Sequence, residues 1–222
     1  MDVDPLEALL AECEGVSRTA LEIAEEDFAR PTRLPAWNVK ELLAHMYRDI
    51  DRTNVALTQS APERADADGV SYWRTYDPAT DGPDIADRAK AAAAKYDTGQ
   101  QLATAWDEMW RRALELAAGA DRGRVVVTWG PALTLDEFMR TRVLEMTVHG
   151  LDLRAALDLV PDPTGAGLAI TAGILRGLLG SELPPGLWDD VTFVEKGTGR
   201  QELTGAERVA LGELAGSFPL LQ

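Results

Sequence analysis

The sequence predicts a mainly α protein, a four-helix bundle with a short C-terminal α/β appendage. Three observations carry that expectation. Apolar residues recur at three- and four-residue spacing in four long segments, the periodicity of helices that bury one face. Two of those segments open on a polar residue followed three positions later by glutamate, Asn38–Glu41 and Thr134–Glu137. In that pattern side chains satisfy the free N–H groups of a helix start. The β-like runs, RVVVTW at 124–129 and DDVTFVEK at 189–196, are too short to build a sheet-based core.

Residues 5–28 place Leu6, Leu9, Leu10, Cys13, Val16, Leu21, Ile23 and Ala24 at helical spacing, and the prolines of ARPTRLPAW end that helix. Cys13 lies on its apolar side and reads as a buried small hydrophobe rather than a nucleophile. Asn38 opens a second helix running to about residue 59. Residues 60–83 turn rich in Pro, Gly and Asp, a long loop of the kind that is commonly functional, here carrying Tyr72, Trp73 and Tyr76. These aromatics fit either a lid that packs down or a plain packed connection. Residues 84–118 read as mostly helix, broken near DTGQ, with Leu102, Trp106, Met109, Trp110, Leu114 and Leu116 assigned to core. After the β-like run and Gly130-Pro131, Thr134 opens the helix that decides the reading. The tail adds a helix candidate in GLAITAGILRGLLG, a strand candidate in DDVTFVEK and a short helix in TGAERVALGELAG. Residues 1–160 thus form the expected bundle, and residues 161–222 a short helix and strand extension packed on it.

A formal net charge of −15, from 37 acidic against 22 basic residues, argues against nucleic acid and anionic membranes as partners. The first residues lack a basic n-region and a small-residue cleavage site, and the apolar run near residue 170 is interrupted by Arg176. A single cysteine excludes an internal disulfide. The expectation is a cytoplasmic protein, monomer or homodimer, that acts on small molecules.

The helix RTRVLEMTVHGLDLRAAL, residues 140–157, has two polar arcs between its apolar ones when stepped at about 100° per residue. Arg140, Thr147, Arg154 and Asp158 make a sensible solvent face. Arg142, Glu145, His149 and Asp152 make a second stripe flanked by apolar surface, which must be satisfied inside the bundle. An ion-pair network, a bound ligand or a metal would each do so. The chain has two histidines, and the other, His45, sits in ELLAHMYRD near the apolar edge of the second helix. In a bundle it meets Glu145 and His149 across the core. Two imidazoles and one carboxylate are the ligands of a catalytic zinc site with one position open. Glu41, four residues before His45, has a capping duty and is not counted as a ligand.

At AWNVKELLAHM and VVVTWGPALTLDEFMRTRVLEMTVHGLDLRAAL the chain resembles the mycothiol-dependent maleylpyruvate isomerase family, within the DinB-like superfamily. The likeness covers roughly the first 160 residues, and TFVEKGTGRQELTGAERVALGELAGSFPLL is similar to the ending of shorter members. What the resemblance implies is a DinB-like bundle whose divalent metal, usually zinc, is held by His45, Glu145 and His149. It implies a low-molecular-weight thiol such as mycothiol, activated at the open metal position for addition to a small electrophile. The outcome is isomerisation if the thiol is released and S-transfer if it is retained. Isomerases of the family carry a second mixed α/β domain, longer than the roughly 60 residues that follow the bundle here.

Further roles fall on residues near the expected metal. Asp49 and Asp152 are candidates to orient the imidazoles, Asp49 being equally a salt-bridged or solvent-facing carboxylate. Arg142, Asp152 and Arg200 are the catalytic candidates, Arg142 as a partner of Glu145 or Asp152 or as a site for a substrate carboxylate. Tyr72, Trp73 and Tyr76 are the candidates for cofactor binding. Two other classes remain: a zinc-water hydrolase, and a non-catalytic bundle that binds a metal or small molecule.

Overall fold

The computed structural model describes residues 3–127 and 130–221. Four helices form the bundle: α1 (Pro5–Leu21), α2 (Val39–Thr58), α4 (Gly99–Ala118) and α5 (Leu135–Ala156), with α3 (Pro78–Ala93) laid on α2. Each of α1 and α2 packs against both α4 and α5, so α1 stands diagonally opposite α2. β1 (Val125–Val126) and β2 (Leu133–Thr134) pair antiparallel, Val125 opposite Thr134, just before α5 begins. The chain closes with α6 (Gly165–Leu179) on α5 and α1, α7 (Asp190–Gly197) on α6, and the short α8 (Gly205–Leu211).

Side-chain chemistry sets the helix starts. Asp4 accepts from the N–H groups of Leu6 and Glu7, and Pro5 stands where no N–H is needed. At α2 the capping box is complete: Asn38 accepts from Glu41 N–H at 2.9 Å and Glu41 accepts from Asn38 N–H at 2.9 Å. At α5 only half of it forms. Thr134 accepts from Glu137 N–H, but the Glu137 carboxylate accepts from Gly69 N–H at 2.7 Å and so pins the long loop to this helix. Gly99 opens α4 against the Phe28 ring, where a Cβ would fall 2.1 Å from ring carbon.

The core is continuous through the bundle, with Leu9, Cys13, Leu43, Leu102, Trp106 and Met139 shielded from solvent. Cys13 is a buried free thiol, as its place on α1 requires. The aromatic stripe of α4 is core except for Leu116, which is half exposed because it falls off the buried face. Leu10 and Leu21 of α1 are likewise exposed.

Several expected boundaries shift. The first helix stops at Leu21, and a 3-10 turn at Glu25–Ala29 places Phe28 back in the core. The long loop ends at residue 77, because Asp77 caps a helix that starts at Pro78 and runs through Pro83. Inside the loop, a 3-10 turn at Ser71–Thr75 buries Tyr72 and Trp73. The strand expected at DDVTFVEK is helix α7: Asp189 accepts from Thr192 N–H at 2.8 Å, and Phe193 and Val194 pack into the core. Thr128 and Trp129 of the RVVVTW run lie outside the described residues. Thr147, expected on the solvent face of α5, is fully buried because α6 covers it. Gly167 permits that approach: a Cβ there would lie 2.1 Å from Glu12 Oε1 and 2.8 Å from Thr147 Oγ1.

Among the described residues no helix is long and apolar enough to cross a membrane.

Candidate metal centre

Helical periodicity puts His45, Asp49 and Arg52 of α2 on one face, and Arg142, Glu145, His149 and Asp152 of α5 on another. The packing of α2 against α5 turns these faces toward each other. His45 Nε2 stands 3.4 Å from Glu145 Oε2, and His149 Nε2 stands 3.1 Å from the same oxygen. The rings of His45 and His149 meet edge to face with centroids 4.8 Å apart. One donor atom from each of His45, Glu145 and His149 lies within 4.8 Å of the others, close enough for all three to bind one ion. Trp37 stacks on His45 at 4.6 Å and 27°, fixing the ring plane from the loop before α2.

Behind the histidine pair, Asp152 is fully buried and acts as a hub. His149 Nδ1 is 2.9 Å from its Oδ2. Arg33 Nε donates to Oδ1 at 2.5 Å, and Arg200 donates to Oδ1 at 3.2 Å and to Oδ2 at 3.0 Å. Arg33 also donates to Glu195 of α7 at 2.8 Å. Burial pushes the Asp152 carboxyl up, but the His149 hydrogen bond and the Arg200 charge outweigh it and hold the group ionised well below the usual range. An ionised carboxylate only accepts, so the proton of this contact sits on His149 Nδ1. That tautomer leaves Nε2 as the nitrogen facing Glu145.

The two imidazoles differ. Burial disfavours charge on both. At His45 burial wins and its pKa falls. At His149 the bonds to Asp152 and Glu145 win and its pKa is pushed up to about 9. Burial likewise raises the Glu145 carboxyl, but hydrogen bonds from His149 and His45 hold it well below the usual range. Without an ion the centre is therefore a carboxylate bridging one neutral and one charged imidazole.

Asp49 does not reach an imidazole as an orienting group. Arg142 takes its Oδ1, and Arg52 Nε lies 3.8 Å from the same oxygen. Arg142 thus pairs with Asp49 and not with Glu145 or Asp152, and is almost wholly buried. This charge pair crosses from α5 to α2, a partnership that spacing along a single helix could not reveal.

A cavity of about 150 Å³ opens beside the three donors. Tyr72, Trp73 and Tyr76 line it, together with Arg142 and Arg200, whereas Asp152 stands behind His149. Arg33, Arg48 and Arg52 were not singled out from sequence, and Trp37 stood out only as part of the AWNVKELLAHM motif. Arg33 and Trp37 lie in a proline-flanked loop without periodicity, but the positions of Arg48 and Arg52 at three and seven residues after His45 were a usable signal. Two imidazoles and a carboxylate suit zinc and other first-row divalent ions.

Residues 9–154 match the profile of a protein family described as the mycothiol maleylpyruvate isomerase N-terminal domain, well over half of the chain. No curated protein and no solved structure matches the chain.

Proposed function

Because the chain belongs to the mycothiol maleylpyruvate isomerase family, we propose that it is an enzyme dependent on a divalent metal and a low-molecular-weight thiol. His45, Glu145 and His149 hold the ion, zinc being the usual choice for such a set. The thiol, mycothiol or a relative, adds to a small electrophile, and the reaction is an isomerisation or an S-transfer. The observation that carries this reading is the convergence of both histidines of the chain with Glu145 beside a cavity.

A divalent ion supplies Lewis acidity, which keeps a thiol ionised at neutral pH. The chain's own residues do the rest. Asp152 keeps the proton on His149 Nδ1, so that Nε2 presents its lone pair once its own proton has left. Arg33 and Arg200 hold Asp152 ionised in that duty. The Arg142–Asp49 pair neutralises two buried charges next to the donors. Tyr72, Trp73 and Tyr76 wall the cavity with aromatic surface on which a cofactor can lie and which excludes water. Residues 161–222 act in this reading as an extension that brings Arg200 to the site.

A hydrolase acting through metal-bound water is commonly assisted by a carboxylate general base. Of the two carboxylates that line the cavity, Asp49 spends Oδ1 on Arg142 and Glu145 is held by the histidines. Glu41 is spent on Asn38 and does not close the ligand set.

The test is elemental analysis of the wild type and His149→Ala, purified side by side without added metal, followed by a screen of thiol and electrophile pairs. About one divalent ion per chain in the wild type, lost in the variant, together with turnover that requires added thiol, supports the proposal. A wild type that neither carries nor takes up zinc sinks it.

A further inference from the structure

We propose that Glu195 is a positioning residue for the candidate metal centre: through Arg33 it holds the Asp152 carboxylate that orients His149. This rests on the reading of His45, Glu145 and His149 as a metal site, and adds a residue that acts on it from beyond the family match.

The run EKGTGR explains how α7 ends. Gly199 takes a left-handed backbone conformation, φ 71°, in which a side chain would be strained. The chain doubles back there. Arg200 N–H donates to the Glu195 carbonyl at 2.7 Å, and Gly199 N–H to the Lys196 carbonyl at 3.3 Å. Such a pair of bonds closes a helix on a glycine. It leaves Arg200 where its guanidinium donates to both oxygens of Asp152. Residue 195 thus anchors Arg200 with its main chain.

Its side chain anchors the other cation on Asp152. Arg33 Nε donates to Asp152 Oδ1 at 2.5 Å, and Arg33 Nη1 donates to Glu195 Oε1 at 2.8 Å. A guanidinium is planar, so carboxylates on two of its nitrogens fix its plane, whereas one leaves it free to turn. Arg33 needs the second anchor because it comes from a loop and has no helical neighbours to pack its stem. Side-chain exposures of 25% for Arg33 and 14% for Glu195 mean that water screens the pair only in part.

Charge acts in the same direction. Arg33 and Arg200 set two positive charges behind His149, and Asp152 neutralises only one of them. Glu195 balances the other. Without it a surplus positive charge stands behind an imidazole that is to bind a cation. Looser orientation and surplus charge both weaken the hold on an ion.

The experiment follows the ring nitrogens of the two histidines by NMR, in the full chain labelled with 15N-histidine, stripped of metal and held at one pH. His149→Ala assigns the signals. Glu195→Gln is expected to move the His149 signals and leave those of His45 in place, and Glu195→Asp should restore most of the wild-type position. Arg33→Lys, which keeps the charge and loses the fork, is the second variant and should move the same signals. The exposed Glu213→Gln should move none. Circular dichroism and urea midpoints establish that each variant folds. In parallel, zinc affinity by chelator competition should fall about three- to tenfold in Glu195→Gln. In an Arg33→Gln background the same substitution should change affinity by less than about twofold, since Glu195 then has nothing to act through. His149 signals that stay in place in Glu195→Gln overturn the proposal, because a mere staple between loop and helix would lower the urea midpoint alone. An undiminished effect of Glu195→Gln without Arg33 overturns it as well. A wild type that takes up no zinc sinks the metal reading instead, and the His149 signals still decide whether Glu195 positions that ring.

Discussion

The two halves of the bundle are built on opposite physical principles. Where α1 meets α4, the interface is apolar, with Leu9, Cys13, Leu102, Trp106 and Met109 in one dry core. Its buried polar link is a neutral hydrogen bond from Trp110 Nε1 to Ser17 Oγ at 2.7 Å. Where α2 meets α5, the interior holds Asp49, Arg142, Glu145, His45, His149 and Asp152. Burying apolar surface stabilises by about 25 cal/mol per Å², whereas a buried ion pair commonly does no better than the hydrophobic residues that could replace it. The first half stabilises the fold by apolar burial, and the second buries charge for which stability alone gives little reason.

The sharpest way to break this division is to cross it. His149→Ala should abolish metal binding, from about one ion per chain to almost none, with circular dichroism still helical. Trp106→Ala should do the reverse, costing about 3–5 kcal/mol of stability by urea unfolding while the folded fraction keeps its metal. Loss of metal from folded Trp106→Ala, or unfolding of His149→Ala, would erase the distinction.

Smaller effects sharpen it. Asp152→Asn removes the acceptor that holds His149, and metal affinity measured by chelator competition should fall about 10- to 100-fold. The pH response should separate metal-free from metal-loaded protein. His149 is raised from 6.5 to about 9 in the folded chain, so its contribution is complete below pH 6.5 and is lost as pH rises through 9. On the order of 3 kcal/mol should disappear from the metal-free protein over that window. Metal displaces the His149 proton, so affinity for the ion should climb over the same range. Smallest of all, Glu41→Ala should cost about 0.5–1 kcal/mol through the α2 cap and leave metal content unchanged.

The same contrast explains what could be read from sequence. The apolar half was legible because burial of one helix face writes a period into the chain, and Trp106, Leu102 and Cys13 all obey it. The inner stripe of α5 was legible for the same reason: a second polar arc on a buried helix must face something. Partnership is different, since no local pattern says that Arg142 joins Asp49 rather than Glu145. Arg33 reaches Asp152 across 119 residues from a loop with no period at all. Thr147 was misplaced because its cover, α6, is an element added outside the bundle. The run DDVTFVEK misled because its β-branched and aromatic residues favour strands, while the Asp189 cap and the core contacts of Phe193 favour a helix.

The arginines that converge on Asp152 also bear on how this protein could be recombined with others. The family match ends at residue 154, yet one of the charges that keep Asp152 ionised arrives from Arg200, 48 residues further along. A chimera cut at the limit of detectable similarity would inherit His45, Glu145 and His149 without that countercharge. A transplant meant to keep the environment of Asp152 should carry the chain through Arg200.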